Sequence, residues 1–176
     1  MNQKRKNTAN LFAKECIVSA LLQLIYEKPL SAISVSELCR RAGVSRMTFY
    51  RNYDSKEDIF LKQLEELFAE YRGDEEEKGK SGMYYDRKHM LHYFTYLSQY
   101  RDFMAGLIAC GFGTQFLKML MDYLLERWSD EADYYTLAAF AGSLYSMFHL
   151  WASGGYEEKP ELLATKLEGI FGGTQK

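Results

Sequence analysis

The chain has 176 residues, of which 47% are hydrophobic and 15% aromatic, so an intrinsically disordered protein is excluded and a real core is possible. Its two prolines, Pro29 and Pro160, leave long helices unobstructed over most of the sequence. The net charge of −2 conceals an asymmetry, because ten lysines and arginines face four acidic residues through Lys56, whereas 12 face 20 in the remainder. A basic first third (+6) on an acidic body (−8) suggests that the first third meets a polyanion.

Compartment and redox state follow from the cysteines and the apolar runs. Cys16, Cys39 and Cys110 match no zinc-binding spacing, which favours reduced, buried thiols in a cytosolic protein. The N-terminal segment is basic and polar, without the apolar region of a signal peptide. The longest apolar stretch, 137–151, is shorter than the roughly 20 residues of a membrane-spanning helix. We therefore expect a cytoplasmic protein with no membrane association.

Apolar periodicity predicts helices from the start of the chain. A first helix is expected over 8–27, where apolar residues recur with the 3.6-residue period. Ser34 and Glu37 form a capping-box pattern that opens a short second helix, and Gly43 stands where that helix should stop. A third helix is predicted from a Ser45 cap to about Arg51, and a fourth from the turn at 52–55 to 72–73.

The charged segment 74–82 (DEEEKGKSG) contains no apolar residue and predicts a solvated, mobile loop rather than an acidic functional site. Beyond it, the pattern predicts five further helices, near 85–99, 102–110, 114–128, 133–153 and 160–171. The predicted fold is therefore all-α. An N-terminal three-helix domain over 1–56 is followed by a C-terminal helical domain over 57–176.

Short helices separated by a glycine describe a helix-turn-helix. Gly43 supplies the residue that tolerates positive φ in the turn. The helix crossing needs small or apolar contacts, and these are supplied by Leu38, Ala42, Val44 and Phe49. The recognition helix needs a polar outer face, and this is supplied by Ser45, Arg46, Thr48 and Arg51. Such a helix presents its amino end to the major groove of DNA, where side chains reach base edges.

The segment ISVSELCRRAGVSRMTFYRNYDSKEDIF resembles the DNA-binding signature of the TetR family of regulators. The shared features are Ala-Gly-Val-Ser, the following threonine, the aromatic pair Tyr50 and Tyr53, and the Lys-Glu that opens the next helix. Farther along, FAGSLYSMFHLWASGGYEEKPELLATKL is similar to the closing helix pair of a Firmicutes-type subgroup. The resemblance implies a DNA-binding N-terminal domain and a C-terminal domain that binds a small molecule and dimerises.

The resemblance assigns DNA contacts position by position. It implies that Arg46 pairs with guanine and that Met47, where the family more often has a small residue, touches a thymine methyl. Thr48, Tyr50 and Lys56 match positions that hold phosphates, and Lys56 opens the fourth helix, whose dipole favours an anion. The complete predicted set is Ser34, Ser36, Ser45, Arg46, Met47, Thr48, Tyr50, Arg51 and Lys56.

Lys4, Arg5 and Lys6 resemble an auxiliary basic arm. Phe49 and Tyr53 are expected in the core, and Arg40 and Arg41 are equally compatible with solvent or phosphate.

Two sets of residues are expected to serve the C-terminal domain. A broad apolar stripe, Leu137, Phe140, Ala141, Leu144, Phe148, Trp151, Leu163, Leu167 and Ile170, predicts a four-helix interface between two subunits. Ordinary intrachain core is the alternative for this stripe. A second group can line an apolar ligand pocket or be plain core: His92, Tyr96, Tyr100, Phe103, Phe116, Met119 and Tyr123.

The function predicted from these features is a repressor that binds a palindromic operator as a homodimer and is released by a small-molecule effector. One alternative is a TetR-like co-regulator that acts through protein partners. An enzyme is disfavoured, because no nucleophile–base spacing, phosphate loop or metal motif is present, and no cofactor is expected. The histidines His89, His92 and His149 have no carboxylate or thiol at metal-ligand spacing.

Overall fold

The computed structural model describes residues 2–77 and 82–173, and the side chains within 8–74 and 82–173. Over these residues the fold is all-α, as predicted. The chain divides into two compact units, Met1–Glu65 and Glu66–Lys176. This division falls inside the helix Lys56–Glu77, whereas the sequence placed the domain boundary after the first residue of that helix, Lys56.

The first unit is built on one long helix, a 3₁₀ turn and two short helices, and it ends in the beginning of a fourth helix. Its elements are α1 (Asn2–Glu27), the 3₁₀ turn Leu30–Ala32, α2 (Val35–Ala42), α3 (Arg46–Asn52) and the beginning of α4 (Lys56–Glu77). The core of this unit includes Ile17, Leu21 and Leu24 of α1, together with Leu38 of α2 and Phe49 of α3, none of which is exposed. By length and composition, the helical segment 8–27 could cross a membrane. In its apolar part, 28% of the residues are buried inside the chain, and these include the core stripe of α1.

Two predicted helix limits are wrong. The first helix begins at Asn2 rather than near Thr8, so the backbone of the predicted basic arm (Lys4–Lys6) is helical, and its side chains lie outside the described residues. The fourth helix continues through Gly73 to Glu77, because the following acidic residues are adequate helix formers and one glycine costs only about 1 kcal/mol. Residues 74–77 of the predicted loop are therefore helical, and residues 78–81 lie outside the described residues.

The second unit contains the end of α4 and five further helices. These are α5 (Arg87–Ser98), α6 (Arg101–Ala109), α7 (Gly113–Trp128), α8 (Tyr134–Ser153) and α9 (Pro160–Gly172), close to the predicted segments. Helix α5 packs along α9, and α7 packs along α8. The Asp133 carboxylate caps α8 by accepting from the amides of Tyr135 (2.9 Å) and Thr136 (3.1 Å). The Trp151 indole N–H donates to the Glu158 carbonyl at 2.8 Å and ties the end of α8 to the connection before α9.

The core of the second unit corrects the predicted dimer interface. Of the nine residues assigned to it, eight are buried inside the single chain and are unavailable to a partner: Leu137, Phe140, Ala141, Leu144, Phe148, Trp151, Leu163 and Leu167. Edge-to-face contacts join this group to neighbouring helices, with ring centroids 5.7 Å apart for Trp151 and Phe94 and 5.7 Å apart for Phe148 and Phe116. Only Ile170, 60% exposed, remains accessible. The stripe is intrachain core because the other helices of the unit cover its apolar face.

Candidate nucleic-acid interface and ligand cavity

The turn between α2 and α3 has the geometry that the sequence predicted. The Ser34 hydroxyl caps α2 by accepting from the Glu37 amide at 3.2 Å. Gly43 ends the helix in the left-handed conformation (φ 67°, ψ 26°), and the next amide, that of Val44, donates to the Cys39 carbonyl at 3.0 Å. A residue with a Cβ would be strained at this φ, so the glycine fixes the direction in which α3 leaves.

A local network fixes the first turn of α3. The Ser45 hydroxyl accepts from the Thr48 amide at 3.0 Å and lies 2.9 Å from the Thr48 hydroxyl. The Asn52 side-chain amide, which is buried, donates to the Thr48 carbonyl at 2.9 Å. The hydroxyls of Ser45 and Thr48 thus position the helix and each other, and both lie on the half-exposed or exposed side of α3.

Large side chains and a cationic group are exposed along the outward edge of α3. Met47 is 83% exposed and Tyr50 57% exposed, and the Arg46 side chain beside them is exposed as well. Tyr50 is held edge-on against the buried Phe49 ring, with centroids 5.2 Å apart. Within residues 8–74 and 82–173, no carboxylate forms an ion pair with Arg46 or Arg40. This edge has the polar and apolar groups that base edges accept.

Nearby acidic charges are already paired. Lys28 bonds both oxygens of Glu37 at 2.7 Å, and Arg41 bonds those of Glu27 at 2.8 and 3.1 Å. The hydrogen bond from Lys28 holds the pKa of Glu37 below its usual value, and that from Arg41 does the same for the pKa of Glu27. The two carboxylates therefore stay ionised and neutralised, and Arg40 and Arg46 contribute positive charge to this surface. Arg41 is occupied by Glu27 rather than open to phosphate.

The Lys56 side chain is directed at backbone groups of the chain, whereas the resemblance assigned it a phosphate contact. Its ammonium group donates to the carbonyls of Leu30 (2.6 Å), Ser31 (3.3 Å) and Ile33 (2.8 Å). These acceptors belong to the 3₁₀ turn and its C-cap, so Lys56 fastens the segment that precedes α2 to the start of α4. In this arrangement Lys56 positions the helix-turn-helix, and its charge is satisfied within the chain.

The other predicted contacts remain at the surface. Ser36 is exposed on α2. Arg51 is exposed on α3 and donates to the Asn10 side-chain oxygen of α1 at 3.2 Å, a contact that the sequence reading missed. Phe49 and Tyr53 are buried, as expected for core residues. The structure thus brings Ser34, Ser36, Ser45, Arg46, Met47, Thr48, Tyr50 and Arg51 to the exposed or half-exposed surface of α2 and α3.

The predicted pocket residues occupy several different environments. Tyr96 and Tyr100 donate to a Glu70 carboxylate oxygen at 3.3 and 3.1 Å, and Tyr96 also lies 3.1 Å from the Leu67 carbonyl. Phe103 and Phe116 are buried, Met119 is half-buried, and His92 stacks on a neighbouring tyrosine ring with centroids 5.0 Å apart. Of the predicted set, only Tyr123 lines the cavity described next, which lies within the second unit.

That cavity lies among α4, α5, α7 and α8 and measures about 20 Å³. Its walls are the side chains of Tyr71, Tyr84, His89, Met90, Tyr93, Leu120, Tyr123, Leu124, Trp128, Phe140 and Leu144. The Tyr93 side chain is 4% exposed, and its hydroxyl has no hydrogen-bond partner. Burial raises the pKa of Tyr93 well above its usual value, so the group is a neutral hydroxyl. None of the wall residues is Asp, Glu, Lys or Arg.

The outer face of α8 and α9 is partly apolar and uncovered. On α8, Tyr135 is 82% exposed and Leu150 72%, and on α9, Leu162 is 47% exposed. Gly142 of α8 and Gly169 of α9 lie at positions where an added side chain would meet nothing within 4 Å. Glycine inside a helix costs about 1 kcal/mol relative to alanine, and packing within the chain does not account for it at either position.

Comparison with known proteins separates the two halves of the chain. The profile of the bacterial regulatory proteins of the tetR family matches residues 17–62. The HTH-type transcriptional regulator EthR of Mycobacterium tuberculosis is 39% identical over 51 residues. That match covers 29% of this chain and 24% of the relative, so it spans about a quarter of EthR's length. The family profile thus covers the helix-turn-helix region.

Solved structures resemble the chain over nearly its full length. A TetR transcriptional regulator from Streptococcus agalactiae superposes with a TM-score of 0.67 at 21% identity, covering 97% of this chain and 99% of that one. The transcriptional regulator FadR from Bacillus subtilis, solved with stearoyl-CoA, gives a TM-score of 0.60 at 16% identity, with 89% and 96% covered. At these identities the likeness establishes the fold alone.

Proposed function

Because the chain belongs to the TetR family of bacterial regulatory proteins, we propose that it is a cytoplasmic repressor that binds a palindromic operator as a homodimer. A small-molecule effector then releases it from the operator. The regulatory character of the family agrees with the expectation that the chain is not an enzyme. The observation that carries the DNA-binding proposal is the exposed, unpaired edge of α3.

That edge supports base reading for a physical reason. Met47 and Tyr50 expose large apolar surfaces one turn apart on α3, next to the exposed Arg46. Met47 fits a thymine methyl group, and the Arg46 guanidinium fits the two acceptors of guanine in the major groove. Ser34, Ser36, Tyr50 and Arg51 then hold phosphates, which fix the register without reading sequence. We assign Lys56 to positioning rather than to direct phosphate contact.

Homodimerisation is proposed through the outer face of α8 and α9. The exposed residues on this face are Tyr135, Ala139 and Leu150 of α8 and Leu162 and Ile170 of α9. The uncovered glycines permit α8 and α9 of one subunit to approach α8 and α9 of a second subunit closely. Together the two helix pairs then form a two-fold four-helix interface. A palindromic operator requires such a two-fold dimer, because each half-site is read by one recognition helix.

The DNA-binding proposal is tested by selecting bound genomic fragments and then titrating them in mobility-shift assays at several salt concentrations. Affinity should fall steeply with salt as counterions are released. Arg46→Ala combined with Tyr50→Phe should weaken specific binding by about 10- to 100-fold, since one bidentate arginine–guanine pair contributes roughly 1–3 kcal/mol. The exposed Lys118→Ala change on α7 is the matched control and should leave affinity unchanged. Unaltered affinity in the double variant would refute the assigned surface, and no shift on any fragment would favour the co-regulator.

The dimer proposal is tested with two exposed alanines on different helices. Ala139→Arg places a charged side chain on the outer face of α8, whereas Ala105→Arg makes the same change on α6. Sedimentation analysis should find the first variant monomeric and the second dimeric. Dimers in both variants, at concentrations where the wild type is a dimer, contradict the proposed face.

A further inference from the structure

We propose that Lys62 of α4 is a positioning residue for DNA recognition, because it binds the carboxyl end of α3 and so fixes the angle between the recognition helix and α4. Every group involved lies within the first unit. The contact itself is a property of the free protein, whereas its consequence for DNA rests on the proposed function.

The contacts of Lys62 reach across the turn between α3 and α4. Its ammonium group donates to the carbonyl of Asn52, the last residue of α3, at 3.0 Å, and pairs with the Asp58 carboxylate at 2.8 Å. The ammonium group also lies 5.9 Å from the centre of the Tyr53 ring. Carbonyls in the last turn of a helix lack partners within the helix, and the helix dipole favours a cation there. Lys62 therefore caps the recognition helix from a neighbouring helix.

Asp58 connects Lys62 to the turn itself. The carboxylate oxygen that pairs with Lys62 also accepts from the Asp54 amide at 2.9 Å, and the Asp58 amide donates to the Ser55 hydroxyl at 3.1 Å. Asp58 and Lys62 lie one helical turn apart on α4, where side chains are neighbours. The hydrogen bond to Asp58 raises the pKa of Lys62, so the ammonium group stays protonated.

On the side of α3, the contact is made with a buried residue. The Asn52 side-chain amide, which is buried, donates to the Thr48 carbonyl at 2.9 Å. The amide of the next residue, Tyr53, donates to the Phe49 carbonyl at 2.9 Å. A contact made at the Asn52 carbonyl is thus connected by hydrogen bonds to the first turn of α3, where Thr48 lies.

The short length of α3 gives this contact its effect. With seven residues, α3 is shorter than an isolated helix that is stable in water, so tertiary contacts must hold it. The helix is about 10 Å long, and a rotation of about 10° at Asn52 displaces the backbone of Arg46 by about 2 Å. Hydrogen bonds to a base tolerate displacements of only roughly 0.5 Å. The turn at Gly43 directs the amino end of α3, and Lys62 directs its carboxyl end.

A direct phosphate contact is the first competing role for Lys62. Mobility-shift titrations of Lys62→Met on a selected genomic fragment and on an unrelated duplex separate the two roles. Loss of a phosphate contact weakens both complexes and reduces the slope of log affinity against log salt by about 1. We expect instead that affinity for the selected fragment falls about fivefold to tenfold, while affinity for the unrelated duplex and both salt slopes stay unchanged.

Two further variants control for charge. Lys118 pairs with Asp122 at 2.6 Å on α7, with the same spacing of four residues. Lys118→Met therefore removes the same charge and the same kind of pair, and it should leave both affinities unchanged. Lys62→Arg keeps a cationic donor and should recover most of the affinity for the selected fragment.

General stabilisation of the unit is the second competing role, and amide hydrogen exchange in the free protein tests it. In Lys62→Met, the Tyr53 amide at the end of α3 should exchange about threefold to tenfold faster. The Val44 amide, which is bonded to α2, should keep its rate. Equal acceleration at Tyr53 and Val44 assigns Lys62 to general stability and overturns the proposal.

The DNA titrations give two other outcomes that overturn it. One is unchanged discrimination between the selected fragment and the unrelated duplex in Lys62→Met. The other is a parallel loss of affinity for both duplexes with a smaller salt slope, which assigns Lys62 to phosphate. If the wild type shifts no fragment, the proposed function fails, and the exchange rates at Tyr53 and Val44 decide whether Lys62 holds α3.

Discussion

Two tyrosines on α5 provide a sharp test of the packing in the second unit. Tyr93→Phe and Tyr96→Phe remove the same atom from the same helix, and both rings are buried. The Tyr93 hydroxyl has no partner, whereas the Tyr96 hydroxyl lies 3.1 Å from the Leu67 carbonyl and 3.3 Å from the Glu70 carboxylate. The two substitutions should therefore change the free energy of unfolding in opposite directions.

The magnitudes follow from the contacts. A buried hydroxyl without a partner costs about 1–3 kcal/mol, and Tyr93→Phe removes that cost. The vacated space of about 10 Å³ returns only ~0.2 kcal/mol, at about 24 cal/mol for each Å³ of cavity. We expect Tyr93→Phe to stabilise the unit by about 1–2 kcal/mol. Tyr96→Phe loses hydrogen bonding with a net contribution of about 1 kcal/mol and should destabilise it by that amount.

The assay is urea unfolding followed by tryptophan fluorescence. Both tryptophans of the chain, Trp128 and Trp151, lie in the second unit, so the signal reports on that unit. With unchanged m values, the midpoint for Tyr93→Phe should rise and that for Tyr96→Phe should fall. A lower midpoint for Tyr93→Phe would refute the reasoning, since it would mean that the hydroxyl has a stabilising partner.

Three further outcomes are expected in the first unit. Gly43→Ala should destabilise it by about 1–2 kcal/mol in thermal melts, because the surrounding space is open and only the positive φ is unfavourable for alanine, whereas Gly43→Asn should cost less. Lys56→Met keeps the stem but loses the charged hydrogen bonds to Leu30 and its neighbours, so amide hydrogen exchange in the 3₁₀ turn should accelerate about tenfold, with partial recovery in Lys56→Arg. The hydrogen bond from Lys28 lowers the pKa of Glu37. The stabilisation that the ionised Glu37 provides is therefore present above the ordinary pKa of 4.5 and is lost as the pH falls through the lower pKa of the folded chain. Thermal melts from pH 7 to pH 3 should show less acid sensitivity in Glu37→Gln than in the wild type.

The helix-turn-helix was predictable because its determinants are local. A capping serine with its partner three residues later, and a glycine at a helix end, act through hydrogen bonds within one turn of backbone. Ser34, Ser45 and Gly43 therefore adopt the roles that their spacing predicts. The five later helices were also found close to their predicted limits, since long apolar periodicity is a strong signal.

Lys56 and Tyr93 were beyond the sequence for the same physical reason. A lysine at the start of a helix near a recognition helix resembles a phosphate ligand, but its three acceptors lie 23–26 residues earlier in the chain. A tyrosine in an aromatic-rich helix resembles ordinary core, and only the surrounding helices determine that its hydroxyl finds no partner. Such roles depend on which groups the tertiary fold brings together.

Helix α8 illustrates how a helix can be predicted correctly and assigned the wrong orientation. The predicted interface stripe of α8 contains Leu137, Ala141, Leu144, Phe148 and Trp151, all of which are core. Displacing that stripe by two residues gives Tyr135, Ala139, Gly142, Ser146 and His149, which are exposed or half-exposed. Two residues correspond to a rotation of about 200°, nearly the opposite side of a helix with 3.6 residues per turn. The most apolar face went to the interior because α7 and α9 were available to cover it, whereas the smaller outer residues allow a second helix to approach closely. In a helix that is apolar over most of its circumference, we therefore propose that a glycine without neighbours marks an interface better than the strongest hydrophobic stripe.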